Sequence, residues 1–345
     1  GAPVAVQSML NAPADDVAAN LAQIEALAEA GCDVVICNSY GHEPHMLKAA
    51  PDYPNVQVIG CTNLNSQFAG LDNCHNAFAN IYEGRYVAGV VAGMKIKELI
   101  DSGKITADKA KMGYVGAFTY AEVISGYTSF YLGAKSVCPS VTMDVTFTGS
   151  WYDEALEKEA ANKLIAGGCK LISQHADSMG APTACEQAGV PNVSYNGSTQ
   201  SACPNTFIVS SRIDWTPFFV YAINCVASGE DIGYDWTGTL ATGSVVLTDV
   251  NEQAAAAGTA EKIAEVMKAL EDGSVKVFDT ATFTVNGETV TSAPCDMTIM
   301  DWATGTVAYQ GETYEGIVDG AFEESTFRSA PYFTLRIDGI VEDAQ

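Results

Sequence analysis

Two residues invite a chemical reading first: His175 and Asp177, in the segment Ile172-Ser-Gln-His-Ala-Asp177. An imidazole beside a carboxylate can orient a general base. The same pair is equally suited to binding, because the ring donates a hydrogen bond and the carboxylate accepts one. Catalysis would need further pieces, and the chain does not assemble them. No Ser or Cys stands in a nucleophile-elbow context, and there is no GxGxxG or GxxxxGK[ST] phosphate loop. Ten cysteines are present, without the CxxC or Cys/His spacing of a zinc site. The expectation is a binding protein with no catalytic residue, no metal and no cofactor.

Flat side chains supply the second signal. Tyr40, Phe118, Trp151 and Trp215 each follow a segment that reads as a strand, where aromatic faces can sandwich a planar ring by offset stacking. Asp153, Asp177 and Asn196, with His175, would read the ring edge or hydroxyl groups, which lose water on binding and must be paired. These eight residues are the expected ligand contacts, although any single aromatic among them suits core packing equally well. His42 and His45, flanking Pro44, read as surface or capping groups, as does His75 more weakly. The acidic pairs Glu323/Glu324 and Glu342/Asp343 read as solvated loop and tail. Cys32, Cys37, Cys169 and Cys225 fall in apolar stretches where cysteine acts as a small hydrophobe. Cys185 and Cys203 border loops around Asn192–Tyr195 and are the candidates for a disulfide.

The elements that must position these groups alternate. Asp15 to Ala30 carries Val17, Leu21, Ile24 and Leu27 at helical spacing and stops at Gly31; Asp33-Val-Val-Ile-Cys37 is an unbroken apolar run, as in a parallel strand covered on both faces. Strands follow at 56–61, 112–117, 141–148, 170–174, 192–195 and 207–211, with helices at 43–50, 82–100, 121–135 and 154–166 between them. Strand-helix alternation predicts doubly wound parallel sheets, whose ligands gather beyond the carboxyl ends of the strands. The eight residues stand at such ends. After about residue 279 the pattern becomes Thr- and Val-rich, with strand-like alternation at 280–290 and 332–337, and predicts a β and loop extension.

At 345 residues the chain exceeds what one core usually fills. With 48 % hydrophobic and 17 % charged residues it has ample material for buried sheets. The excess of 42 acidic over 17 basic residues, a formal charge of −25, disfavours nucleic acid and anionic lipid as partners. No apolar run approaches the ~20 residues that span a bilayer.

Several linked segments resemble one family. Gly84-Arg-Tyr-Val-Ala-Gly-Val-Val-Ala-Gly-Met94, Met112-Gly-Tyr-Val-Gly-Ala-Phe118, Glu122-Val-Ile-Ser-Gly126, Gly149-Ser-Trp-Tyr-Asp153, Ile172–Asp177 and Ser210-Ser-Arg-Ile-Asp-Trp215 are similar in sequence and order to the basic membrane protein family of solute-binding lipoproteins, over about 33–278. The resemblance implies a type I periplasmic-binding fold: two doubly wound lobes joined by a hinge. Residues 1–111 with 213–242 would form one lobe, 112–212 with 243–278 the other, and 279–345 the extension. The family's usual first strand and helix, ahead of the segment that Val4 to Leu10 resembles, are not found. By the same resemblance, the protein would be a monomer, exported to the periplasm or cell surface and lipid-anchored as a precursor. It would capture a purine nucleoside or nucleobase for the permease of an ABC importer. A sugar or other polar metabolite, a sensory receptor module and, more remotely, a nucleoside hydrolase are the alternatives.

Overall fold

The computed structural model describes residues 6–7, 16–300 and 305–343. In chain order its elements are β1 (Val6–Gln7), α1 (Val17–Glu29), β2 (Val34–Cys37), α2 (Glu43–Ala49), β3 (Gln57–Cys61), β4 (Cys74–Ala79), α3 (Ile81–Asp101), β5 (Lys111–Gly116) and α4 (Ala121–Val137). Then come β6 (Thr142–Phe147), α5 (Glu154–Ala166), β7 (Ile172–His175), α6 (Gly180–Ala188), β8 (Asn192–Tyr195), β9 (Phe207–Ile213), α7 (Thr216–Ser228), β10 (Asp235–Gly238), β11 (Val245–Leu247) and α8 (Thr259–Glu271). The last segment adds β12 (Pro294–Asp296), β13 (Ile299–Met300), β14 (Val307–Tyr309), β15 (Thr313–Glu315), β16 (Ile317–Val318), β17 (Ala321–Phe322) and β18 (Ile340–Asp343).

Two large sheets result. One has the order β1-β2-β3-β4-β10 and the other β11-β9-β8-β7-β5-β6-β18. Among the described residues every pairing in them is parallel except β11 against β9. The apolar runs are explained by cover on both faces. In β2, Val35 and Cys37 pack with Ile24 of α1 and Met46 of α2, while Val34 and Ile36 pack with Phe218 and Ala222 of α7. The chain passes between the sheets after β4, after β9 and between β10 and β11.

The glycine-rich stretch of α3 has a packing role. A Cβ on Gly89 would stand 1.9 Å from the Phe130 carbonyl oxygen, and one on Gly133 of α4 would stand 2.0 Å from that of Tyr86. Only glycine lets these two backbones approach so closely. Val87, Val90, Val91 and Ile96 thereby join the core of the seven-stranded sheet, with Met112, Tyr114 and Phe130. This placement differs from the expectation that residues 1–111 form one lobe, because the apolar face of α3 is buried on the other sheet.

Among the described residues the extension is β and loop, as expected, but its strands lie elsewhere than the alternation predicts. Neither 280–290 nor 332–337 forms a strand. The alternating Thr side chains at 280–290 meet no partner strand: Asp338 instead accepts hydrogen bonds from Thr284 Oγ1 and from the Asn286 and Gly287 N–H groups. Nor is 279–345 a separate appendage, since β18 pairs with β6 and covers what would be an open sheet edge. Glu324 is buried and accepts from the Tyr332 and Phe333 N–H groups. Glu342 takes the Tyr127 hydroxyl, and Asp343 pairs with Lys163. His42, His45 and His75 are buried as well. Cys185 and Cys203 are buried free thiols, not a disulfide. Val6–Gln7 pairs with β2 as the edge of the first sheet.

Candidate functional site

The strand ends of both sheets converge on a cleft of about 360 Å³. The five-stranded sheet contributes Asn38, Ser39 and Tyr40 after β2, Thr62 after β3 and Phe78 near the end of β4. The seven-stranded sheet contributes Glu122, Trp151, His175, Asp177, Tyr195 and Asn196 beyond β5 to β8, and Ile213 and Trp215 around the end of β9. Six of the eight expected residues are thus brought together: Tyr40, Trp151, His175, Asp177, Asn196 and Trp215.

The other two are placed differently. Phe118 lines an outer cavity of about 750 Å³ that shares Tyr40 and Trp151 with the cleft. Its ring stacks on Tyr120 at 5.0 Å and meets Trp151 edge-on at 5.3 Å. Asp153 is a correction: it does not line the cleft. Its Oδ1 accepts the Ala155 and Leu156 N–H groups at 3.0 and 2.9 Å, capping α5, so the carboxylate is spent on the helix end.

Thr62, Phe78, Glu122, Tyr195 and Ile213 were not anticipated. The strand-end rule could have found most of them, and Glu122 opens one of the family-like segments. A left-handed backbone marks two positions. Thr62 and Asn196 adopt φ of 63° and 65°, a left-handed conformation that asparagine tolerates but that costs a β-branched residue such as Thr62 on the order of 1–3 kcal/mol. Both line the cleft, and the strain at Thr62 is stored in its wall.

A polar relay runs from the cleft into the core. His175 Nε2 lies 3.4 Å from Glu122 Oε1, and its Nδ1 lies 3.2 Å from the Tyr114 hydroxyl. Arg85, fully buried, donates to that hydroxyl oxygen and to the Gln174 carbonyl at 3.0 Å. Its guanidinium also sits 4.8 Å from the Tyr195 ring centroid. At the rim, Asn196 Nδ2 donates to Asp177 Oδ1 at 2.7 Å. Desolvation by the cleft walls pushes the Asp177 carboxyl above its usual range, with His175 and Asn196 opposing.

Behind these loops, Glu157 accepts the Asp153 N–H at 3.1 Å and the Ser178 N–H at 3.1 Å. The Asp177 N–H donates to the Trp151 carbonyl at 2.8 Å. The loop carrying Trp151 is thereby tied to the loop carrying His175 and Asp177. Among the described residues lining the cleft, no serine or cysteine nucleophile is hydrogen-bonded to the His175 and Glu122 pair. The chemistry available is stacking from Tyr40, Trp151 and Trp215, with acceptors at Glu122 and Asp177.

A model of the Bmp family, PnrA-like ABC transporter substrate-binding proteins, matches residues 8–277. A Haloferax volcanii protein named as a putative ABC transporter glucose-binding protein is 30% identical over 225 residues, 65% of this chain and 54% of its own length. A purine-binding protein of Brucella abortus is 30% identical over 206 residues, 60% of this chain and 55% of its own. The chain thus spans about half the length of these relatives. A solved ABC transporter solute-binding protein from Aeropyrum pernix superposes with a TM-score of 0.63 at 17% identity, covering 76% of this chain and 82% of that one. That likeness shows the fold, a type I periplasmic-binding architecture.

Proposed function

From its membership of the Bmp family of PnrA-like ABC transporter substrate-binding proteins, to which this chain belongs, we propose that it captures a purine nucleoside or nucleobase in the cleft and presents it to the permease of an ABC importer. The observation that carries this reading is the convergence of Tyr40, Trp151 and Trp215 on one space floored by Glu122, His175 and Asp177. Flat walls suit a heterocycle, and carboxylates suit ring N–H groups and ribose hydroxyls. The purine-binding relative supports the choice of ligand class. Family and fold are those of solute-binding proteins rather than enzymes.

The two sheets, with the helices packed on them, would act as lobes that close about the three crossing segments. Contacts from both sides favour the closed state once the ligand is bound. A monomer working outside the cytoplasm, lipid-anchored in its precursor, completes the proposal. The Haloferax relative supports a second reading, a sugar ligand, because aromatic faces stack on sugars too.

A thermal-shift screen of nucleosides, nucleobases and sugars tests both. A ligand at ~100 times its Kd adds about 2.7 kcal/mol of stability. Stabilisation by purines, with the ligand recovered unchanged, supports the first reading. Stabilisation by sugars alone transfers the cleft to the second, and conversion of the nucleoside would make the protein a hydrolase.

A further inference from the structure

The segment after β17 is tied to the five-stranded sheet through Ser329. The Ser329 N–H and hydroxyl donate to the two carboxylate oxygens of Asp235 at 2.7 and 2.5 Å. Asn76 Nδ2 bridges Asp235 and Ser329 Oγ at 2.9 and 2.8 Å. On its other side, buried Glu324 folds the loop closed through the Tyr332 and Phe333 N–H groups.

Between these anchors Arg328, with Ala330 and Pro331, walls a side chamber of about 240 Å³. Its other walls include Tyr40, Thr62, Glu122 and Trp151, all of which also line the cleft. Chamber and cleft are neighbours that share these four residues as walls.

Arg328 is poorly satisfied by the protein. Its Nε donates to the Ala330 carbonyl at 3.2 Å, and its guanidinium carbon lies 5.9 Å from the Tyr332 ring centroid. Among the described residues no acceptor takes its Nη groups. Burial lowers its pKa from the ordinary value, with Glu324 opposing. The guanidinium therefore keeps N–H donors that a ligand in the chamber can take in place of water.

We infer that the extension completes the ligand site and that Arg328 selects rings presenting two neighbouring acceptors on one edge. This rests on the purine reading above. In that class the edge is O6 and N7 of a 6-oxopurine, which a guanidinium fork meets with two parallel hydrogen bonds. A 6-aminopurine sets a donor there, and arginine has no acceptor to receive it. The glycosyl side would then face Asp177, which lines the cleft but not the chamber, with Glu122 standing in the wall that the two share.

Isothermal titration of wild type and Arg328→Leu with inosine, guanosine and adenosine, beside their ligand-free melting temperatures, tests the inference. The wild type is expected to favour the two 6-oxopurine nucleosides by roughly 10- to 100-fold. Arg328→Leu should lose that preference, with adenosine affinity little changed. If Leu does not fold, Arg328→Lys, which keeps the charge without the planar fork, should shrink the preference in the same direction. A wild type without 6-oxo preference, or variants that weaken all three ligands equally, would overturn the inference and leave the purine reading standing. Failure of the wild type to bind any purine would sink that reading, and the inference with it.

Discussion

The Tyr114 hydroxyl oxygen accepts a hydrogen bond from Arg85 and lies 3.2 Å from His175 Nδ1. Arginine can only donate, so the hydroxyl proton is free to point at Nδ1. That leaves Nδ1 as the acceptor and turns the Nε2–H toward Glu122. Tyr114→Phe removes this partner from a guanidinium whose Nε already has no acceptor. The variant should lose about 1–3 kcal/mol of stability in chemical denaturation. It should also bind ligand more weakly than the melting change alone explains, because His175 is no longer oriented.

Stacking makes a graded prediction. Trp151→Ala and Trp215→Ala, both in the cleft wall, should each raise the Kd for the ligand by roughly 5- to 150-fold, the range for losing one aromatic platform. Phe118→Ala should cost less, since its ring already stacks on Tyr120 at 5.0 Å and lies outside the inner cleft. Tyr152→Ala, exposed and adjacent to Trp151, is the control that should leave affinity unchanged.

Glu83, in the first turn of α3, carries a pH signature. Its carboxyl is pushed from 4.5 up to about 7, first by desolvation and further by Glu271, while a hydrogen bond from the Leu240 backbone opposes. A raised folded pKa means the folded state holds more protons between these values. Stability is therefore full below about pH 4.5 and falls as pH rises through about 7. The loss is on the order of 3 kcal/mol, since each tenfold change in proton affinity between the folded and unfolded states is worth about 1.36 kcal/mol. Melting temperatures of wild type and Glu83→Gln across pH 4–8 check it, and the difference between the two curves should grow through that window.

The α3 and α4 contact should be intolerant of a single methyl group. Gly133→Ala sets a Cβ 2.0 Å from a carbonyl oxygen, and backbone cannot yield as a flexible side chain can. The loss should lie at the top of the about 1–3 kcal/mol range for overpacking. Gly197→Ala, with nothing within 4 Å and no positive φ, should be neutral or slightly stabilising. Denaturant midpoints of the two variants decide this.

Legibility in the sequence followed the range of the interactions. Asp33–Cys37 and Met112–Ala117 announced themselves because a strand covered on both faces must be apolar along its whole length. Cys74–Ala79 did not, because His75 and Asn76 interrupt the run. Their polar atoms are satisfied by Gln57, Gly233, Asp235 and Ser329, which come from remote parts of the chain. The strand-end rule brought Tyr40, Trp151, His175, Asp177, Asn196 and Trp215 to one place, yet could not see that Asp153 would be consumed as a helix cap.

Residue type and spacing alone therefore determined the α/β alternation, the absence of a phosphate-loop or nucleophile-elbow motif in the sequence, and which ends of the strands meet at the cleft. These depend on local propensity and on the periodicity of burial. Tertiary structure decided the rest. It committed α3 to the seven-stranded sheet through backbone contact at glycine, wove the last strand into that sheet's edge, and carried Arg328 to the wall of a chamber beside the cleft. Each of these needs two segments far apart in the chain to meet, and no local pattern records that meeting.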